Sequence, residues 1–575
     1  MIQKIVKRKT MLKGLLSLSA ASIVIAAPLS VVSCEKISYN DGFFDRPVNW
    51  YSPFNSKTGS SDAFANDACS ILWDEEQELF YSWMLFRDGK GFPSGWIEMT
   101  SPDLNTWTQG KYRVKHGSEF ENINNQKNQT SALGGSVWVD TKGQFFDQGD
   151  VVFVISMQPS KILTNNGSEE IGKESNIESK KVTTKNDYTT DESGIAYFVS
   201  HGLGQDFYTS GVLSKECLNK DGTLDWRDTA VFETDDGVYF AISAHDRLEF
   251  WKINHFGNKP KNEGTEKITK VSELFVRNIG VEVPNVVRVD NNLWYVSASV
   301  QDNPFGGPFQ SAWWTLCEWD KKDGFIPVYN VNGKYERYDM NKLQNRQAAY
   351  EVKKEQPHAK VIDWSKSEKY KDLINPWTPN EYGTEGYAQR VVNPYQTQLQ
   401  KAIDAKKAEE TIKYDEFLIA RSMTSNWAYN TDIWSWKGGT YGSERIQWNK
   451  DRTALEFLPN DKIAGYSDNG TAVYYLKGEN LEEGYTLKFD GKNFTFKLEF
   501  DENKKNGKVT WNNQLNTGLK KWTNQGGPTE QSDEIIIVWN KSTLTFYNRT
   551  KNWNAHFMLP QGTTHTKNEN AKSIV

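Results

Sequence analysis

Short apolar runs, rich in aromatic and β-branched residues, recur along the chain between clusters of Asp, Asn, Gly and Pro. Residues 78–86 (ELFYSWMLF), 150–157 (DVVFVISM), 194–200 (GIAYFVS), 238–245 (VYFAISAH), 285–300 (NVVRVDNNLWYVSASV) and 311–319 (SAWWTLCEW) all have this form. Runs of this length and content, bounded by turn residues, predict a meander of antiparallel strands from Tyr39 to about Asn330. So many strands with so little helical periodicity predict an all-β protein: a sandwich, a barrel or a propeller. Two polar stretches interrupt the pattern. Residues 160–192 lack any core-forming period and predict a polar insertion; residues 334–372 read as a second, charged one. In the segment 395–414, Leu399, Ala402 and Ile403 fall at i, i+3 and i+4, which predicts a short surface helix. Beyond Gly438 alternation returns (residues 485–500, YTLKFDGKNFTFKLEF; residues 534–548, EIIIVWNKSTLTFYN), and the tail is long enough for a separate β-sandwich.

The 575 residues leave room for one large domain and a smaller second one. A net charge of −6, with no basic cluster after the N-terminus, gives no reason to expect a nucleic-acid partner. The 22 Trp, 25 Tyr and 29 Phe suit sheets as well as sugar-stacking surfaces, so they favour β structure over any one ligand. The His and Cys residues show no CxxC or HExxH spacing, and no metal site is expected from them. Residues 1–33 combine a basic head (Lys4, Lys7, Arg8, Lys9, Lys13) with an apolar middle and a final small residue, Ser33. That predicts a secretory signal; the alternative is an uncleaved N-terminal anchor, since the apolar run is nearly long enough to span a membrane. Cys34 directly after it resembles the lipid-attachment cysteine of bacterial lipoproteins, which implies a body held at the outer face of the cell membrane. Cys69, Cys217 and Cys317 remain, an odd number, so a disulfide framework is not expected.

Candidate chemistry comes from carboxylates in context, since 74 Asp and Glu make counting useless. Cleaving a glycosidic bond takes one carboxyl group to protonate the leaving oxygen and another to meet the developing cation. Asp67 (FANDACSILW), Asp228 (WRDTAVF) and Glu282 (GVEVPNVV) each adjoin a strand-like run with small or polar neighbours. Arg227 beside Asp228 is an adjacent pair of opposite charges at a strand start. A solvated turn is the usual fate of such a pair; the sharper expectation is a carboxylate facing a pocket with the guanidinium supporting it.

The order of these segments resembles glycoside hydrolase family 32, the levanase, inulinase and invertase group. Asn66-Asp67 followed by Leu79-Phe80-Tyr81 is similar to the Asn-Asp-Pro motif and its Leu-Phe-Tyr strand. Trp96, Asp103, Leu104 and Trp107 keep the spacing of Trp-Gly-His and Asp-Leu-x-x-Trp. Gly135, Ser136 and Asp140 resemble Ser-Gly-Ser-x-x-x-Asp, Arg227-Asp228-Thr229 resembles Arg-Asp-Pro, and Glu282-Val283-Pro284 resembles Glu-Cys-Pro. Residues 423–430 (MTSNWAYN) resemble the Ser-Asn-Trp-x-Tyr segment of the last blade. The resemblance implies a five-bladed β-propeller over residues 34–437, a β-sandwich over 438–575, and retaining cleavage of β-fructofuranosyl units from fructans or sucrose. It implies Asp67 as nucleophile, Glu282 as acid/base and Asp228 as the carboxylate that holds fructosyl hydroxyls. Asn66, Trp96, Ser136 and Arg227 follow as substrate-binding residues, with Trp96 as a pocket wall and Trp107 as core. No cofactor is implied.

Three positions depart from the family pattern: Ala68 and Thr229 replace prolines and Val283 replaces a cysteine. None removes a carboxyl group. The same three carboxylates would serve a fructosyltransferase, and a decayed site would leave a fructan-binding lipoprotein.

Overall fold

The structure is a computed structural model that describes residues 64–567 apart from 88–94, 105, 115–129, 160–193, 215–225, 258–265, 277–278, 303–310, 383–385, 407–416, 424–439, 461–470, 482–484, 492–493, 502–506, 517–520, 524–531, 541–542 and 560–561. Cys34, the signal over 1–33, the insertion over 160–192 and residues 424–430 lie outside the described residues. No helix among the described residues is long and apolar enough to cross a membrane.

From Phe64 to Pro459 the strands form five successive antiparallel sheets, each built from consecutive strands. Their first strands are β1 (Phe64–Asp74), β2 (Thr130–Val139), β3 (Trp226–Thr234), β4 (Ile279–Asp290) and β5 (Gly386–Val392). Each first strand packs on the first strand of the next sheet, and β5 returns to β1. Apolar cores fill the spaces between neighbours in the same cyclic order. Trp83 and Phe153 join the first two sheets, Val154 and Phe240 the second and third, and Phe232 and Trp294 the third and fourth. Tyr295 and Phe417 join the fourth and fifth, and Val392 with Ile71 and Met84 closes the ring. A sheet covered on both faces needs apolar residues at nearly every position. Accordingly Ile195 to Ser200 are buried without alternation.

The tail is built differently. Two further sheets, one holding Glu534–Asn540 and the other Phe494–Phe500, share a core of Phe489, Phe496, Ile535, Ile537, Phe546 and Phe557. The sheet holding Phe494–Phe500 has one face to solvent, so Phe494, Phe496, Leu498 and Phe500 are buried in strict alternation with partly exposed residues.

Two expectations need correction. The boundary at 438 falls too early, because Thr440–Trp448 and Leu455–Pro459 pair outward from Phe417–Met423 and complete the fifth sheet. Alternation is a local signal and does not say which sheet a strand joins. The charged insertion over 334–372 is also folded. It holds Lys334–Arg337, a strand of the fourth sheet, and α1 (Arg346–Glu355), whose Ala348, Ala349 and Val352 pack with Ile362 and Trp364. The helix expected near Leu399 is present as α2 (Gln396–Asp404), with Leu399, Ala402 and Ile403 buried.

Candidate active site

A strand that keeps perfect register aims successive side chains to alternate faces, which cannot bring several polar groups to one point. The five ring-forming strands escape this constraint in the same way: each slips register near its N-terminal end. The extra residues are Asn66–Asp67 in β1, Leu133–Gly134 in β2, Asp228 in β3, Val283–Pro284 in β4 and Ala388–Gln389 in β5. Such bulges re-aim side chains and are over-represented beside active sites. Three of these residues adopt left-handed backbone without being glycine: Asp228 (φ 59°), Val283 (φ 48°) and Ala388 (φ 44°). Side chains rarely tolerate that region. The strain therefore recurs at equivalent places on three strands and is held by the surrounding packing.

The residues just before these three positions are Arg227, Glu282 and Tyr387, and they converge. Arg227 Nη2 lies 2.5 Å from Glu282 Oε1. The Tyr387 hydroxyl donates to Glu282 Oε2. Glu282 is thus held at both carboxyl oxygens, by groups from the third and fifth sheets. Asp228 is buried, and its Oδ2 accepts the Val283 N–H at 3.0 Å. Asp67 is partly exposed as a residue, yet its Oδ1 is enclosed and has no hydrogen-bond partner among the described residues. An unsatisfied, enclosed carboxylate oxygen is costly and calls for a functional explanation.

Burial, then the nearby charges of Glu282 and Asp228, push the Asp67 carboxyl well above the ordinary carboxylate range; Arg227 and Arg390 oppose the rise. Asp228 is also raised, by burial and Glu282, against Arg227, the Val283 amide and Arg390. Three carboxylates facing two guanidiniums carry one excess negative charge, which favours uptake of a proton by the coupled group. That proton belongs to the coupled group rather than to one residue. One protonated and two ionised carboxyls is the complement that two-carboxylate glycoside chemistry requires.

The expected site residues divide. Asp67, Asp228, Glu282 and Arg227 are brought together, and Asn66 shares the bulge of Asp67. Ser136 is engaged elsewhere: its Oγ accepts the Val231 N–H at 2.9 Å and joins β2 to β3. The pocket-wall expectation for Trp96 also needs correction. Its ring is fully buried, and its Nε1 donates to Leu133 O at 2.7 Å, so it supports the β2 bulge from within the core. Asp140, at the far end of β2, caps a loop by accepting the N–H groups of Gln144, Phe145 and Phe146.

The departures from the family pattern are built into the structure. Thr229 Oγ1 donates to Val154 O at 2.6 Å, a bond proline could not make. At the other two positions the contacts run through the backbone: the Val283 amide holds Asp228, and the Ala68 carbonyl accepts from Arg390 at 2.9 Å, so neither depends on the side chain. Sequence reasoning missed Tyr387, Arg390 and Gly134. Arg390 left a trace, as a charge inside the strand-like run YAQRVV. Gly134 matters because a Cβ there would come within 2.0 Å of Asp228 Oδ1. Among the described residues, Asp147, Asp150 and His201 come close enough to hold a cation, also at the far end of β2. Asp150 is already engaged by His201 Nδ1 at 3.1 Å and by the Tyr208 hydroxyl at 2.5 Å.

Solved structures that resemble this chain include an exo-inulinase from Aspergillus awamori, at TM-score 0.58 and 10% identity over 93% of this chain and 97% of its own. A β-fructofuranosidase from Schwanniomyces occidentalis complexed with fructosyl-erythritol matches at 0.51 and 11%, over 92% and 95%. A family 32 β-fructofuranosidase from Bombyx mori matches at 0.52 and 13%, over 94% and 96%. At such identities the likeness is one of fold. The mostly-β architecture is consistent with a propeller followed by a sandwich. No protein-family model matches the sequence, and no curated protein matches it.

Proposed function

We propose that this chain is a retaining β-fructofuranosidase that hydrolyses terminal β-fructofuranosyl units of fructans or sucrose. The observation that carries the reading is the meeting of Asp67, Asp228 and Glu282 at the bulges of three of the five ring-forming strands, with Arg227 and Tyr387 on Glu282. The substrate class is drawn from the fold relatives, whose names are exo-inulinase and β-fructofuranosidase. The five ring-forming sheets are read as five blades and the two tail sheets as a β-sandwich.

In this mechanism Glu282 protonates the glycosidic oxygen while Asp67 attacks the anomeric carbon, giving a fructosyl-enzyme ester. Asp228 binds fructosyl hydroxyls and opposes the positive charge that develops at the ring. Glu282, now a carboxylate, activates the water that releases fructose. The departures at Ala68 and Val283 leave the backbone contacts to Arg390 and Asp228 in place, and Thr229 adds a bond of its own, which favours a working site over a decayed one. The reading also places Cys34 as the lipidated N-terminus of an extracytoplasmic protein, on the strength of the signal before it. Replacing Cys34 with Ala should then release the body or leave a precursor. The test of function is a product profile on levan, inulin and sucrose. Release of fructose is expected, whereas products longer than the substrate would indicate transfer and no products would indicate binding alone.

A further inference from the structure

Arg390 stands on β5, but its guanidinium holds the other strands. Its Nε donates to Ala68 O at 2.9 Å, one Nη to Pro284 O at 2.7 Å and the other to Gly135 O at 2.9 Å. These three carbonyls share a place in the fold. Ala68 follows Asp67 and Gly135 follows Gly134, so these two acceptors are the first residues beyond their bulges, and Pro284 is the second residue of its own. One planar fork thus pins the bulges of β1, β2 and β4 to β5. The side chain is only 4% exposed. Burying a guanidinium is expensive, and an apolar side chain of similar volume would fill the same space more cheaply. Packing alone does not call for a charge here. Burial lowers its proton affinity, and the carboxyl groups of Asp228 and Asp67 oppose that loss.

We propose, resting on the reading of the site given above, that Arg390 is a positioning residue for the reaction. Its fork fixes where the bulges aim Asp67 and Asp228, and its charge beneath them keeps the nucleophile ionised while the site holds a proton. Lysine carries the same charge as a point on a flexible stem and cannot satisfy three carbonyls in one plane. The two roles are therefore separable.

The experiment compares Arg390→Lys and Arg390→Met with the wild type in pH profiles on inulin and sucrose. Loss of the charge makes Asp67 harder to ionise. The acidic limb of kcat/KM in the methionine variant should therefore move up by about one pH unit or more. In the lysine variant the limb should stay, while kcat falls about tenfold or more and KM changes less than about threefold, because aim is lost but charge is kept. A residue that merely supports the fold would leave the limb in place in both. An unmoved limb in Arg390→Met, or wild-type kcat in Arg390→Lys, would overturn the proposal; if the methionine variant does not fold, the lysine variant decides it. If the wild type cleaves no β-fructoside, the functional reading fails but this one is still tested. Carbon-13 labelling of aspartate carboxyls, with Asp67 assigned from Asp67→Asn, reads the titration directly. A higher midpoint in Arg390→Met supports the proposal, and an equal midpoint overturns it.

Discussion

Asp67 has an enclosed carboxylate oxygen with no partner among the described residues, so the fold is less stable for its presence. The sign of the pH dependence follows. In the unfolded chain an aspartate titrates near about 3.9. In the folded chain burial, Glu282 and Asp228 raise it. The folded state therefore binds the proton more tightly, and stability falls as pH rises from the unfolded value through the folded one. Asp67→Asn should unfold at a higher temperature than the wild type at pH 7, with the difference shrinking below about pH 4. Thermal denaturation at the two pH values checks it, and equal melting temperatures at pH 7 would contradict it. The same variant should lose kcat by several orders of magnitude, on the order of what removal of a covalent nucleophile costs elsewhere.

At the scale of elements the working unit is the bulged N-terminal end of each ring-forming strand. Gly134 tests whether that geometry matters apart from the carboxyl groups. Gly134→Ala keeps every titratable group but drives a methyl into Asp228. It should lower kcat by about 10²-fold while circular dichroism stays that of the wild type; full activity would mean that Asp228 need not sit where it does. This scale also explains what was legible in the sequence. Strands were legible from composition and turn residues, and Asp67, Asp228 and Glu282 from a resemblance in order and spacing. The bulges were not, because strands covered on both faces show no alternation whose phase an extra residue could shift. Tyr387 and Arg390 went unnoticed for a related reason: their meaning depends on Glu282 and on three carbonyls, which only the ring closure brings to them. Trp96 was misplaced because an aromatic residue reads the same as a sugar platform and as core.

For the whole molecule, the tail is joined to the ring by buried polar groups. His556, on the tail strand Trp553–Met558, donates its N–H to Glu381 Oε1 at 2.8 Å and places Nδ1 2.5 Å from Oε2. Its Nε2 lies 3.5 Å from Glu444 in the fifth sheet, where Asn554 also bonds. Around them, Leu458 of the fifth sheet packs with Ile536 and Val538 of the tail. Removing one member of such a group strands the others. His556→Ala should therefore cost stability on the order of 3–5 kcal/mol, measurable by denaturant unfolding, with little change in kcat at temperatures where it stays folded. Likewise a chain ending at Asn460 should be poorly soluble, since it bares this face; full solubility and stability would contradict a supporting role for the tail.

The central claim, that Asp67 and Glu282 work as nucleophile and acid/base on fructosides, is tested most directly by trapping the covalent intermediate. Glu282→Gln should still be fructosylated by a fructoside with a good leaving group, which needs no acid, but should hydrolyse the ester slowly for want of a base. Mass spectrometry of rapidly quenched, digested protein should then find one fructosyl unit on the peptide containing Asp67, absent when Asp67→Asn is added. A fructosyl group on another residue, or no adduct at all while fructose is still released, would contradict the account.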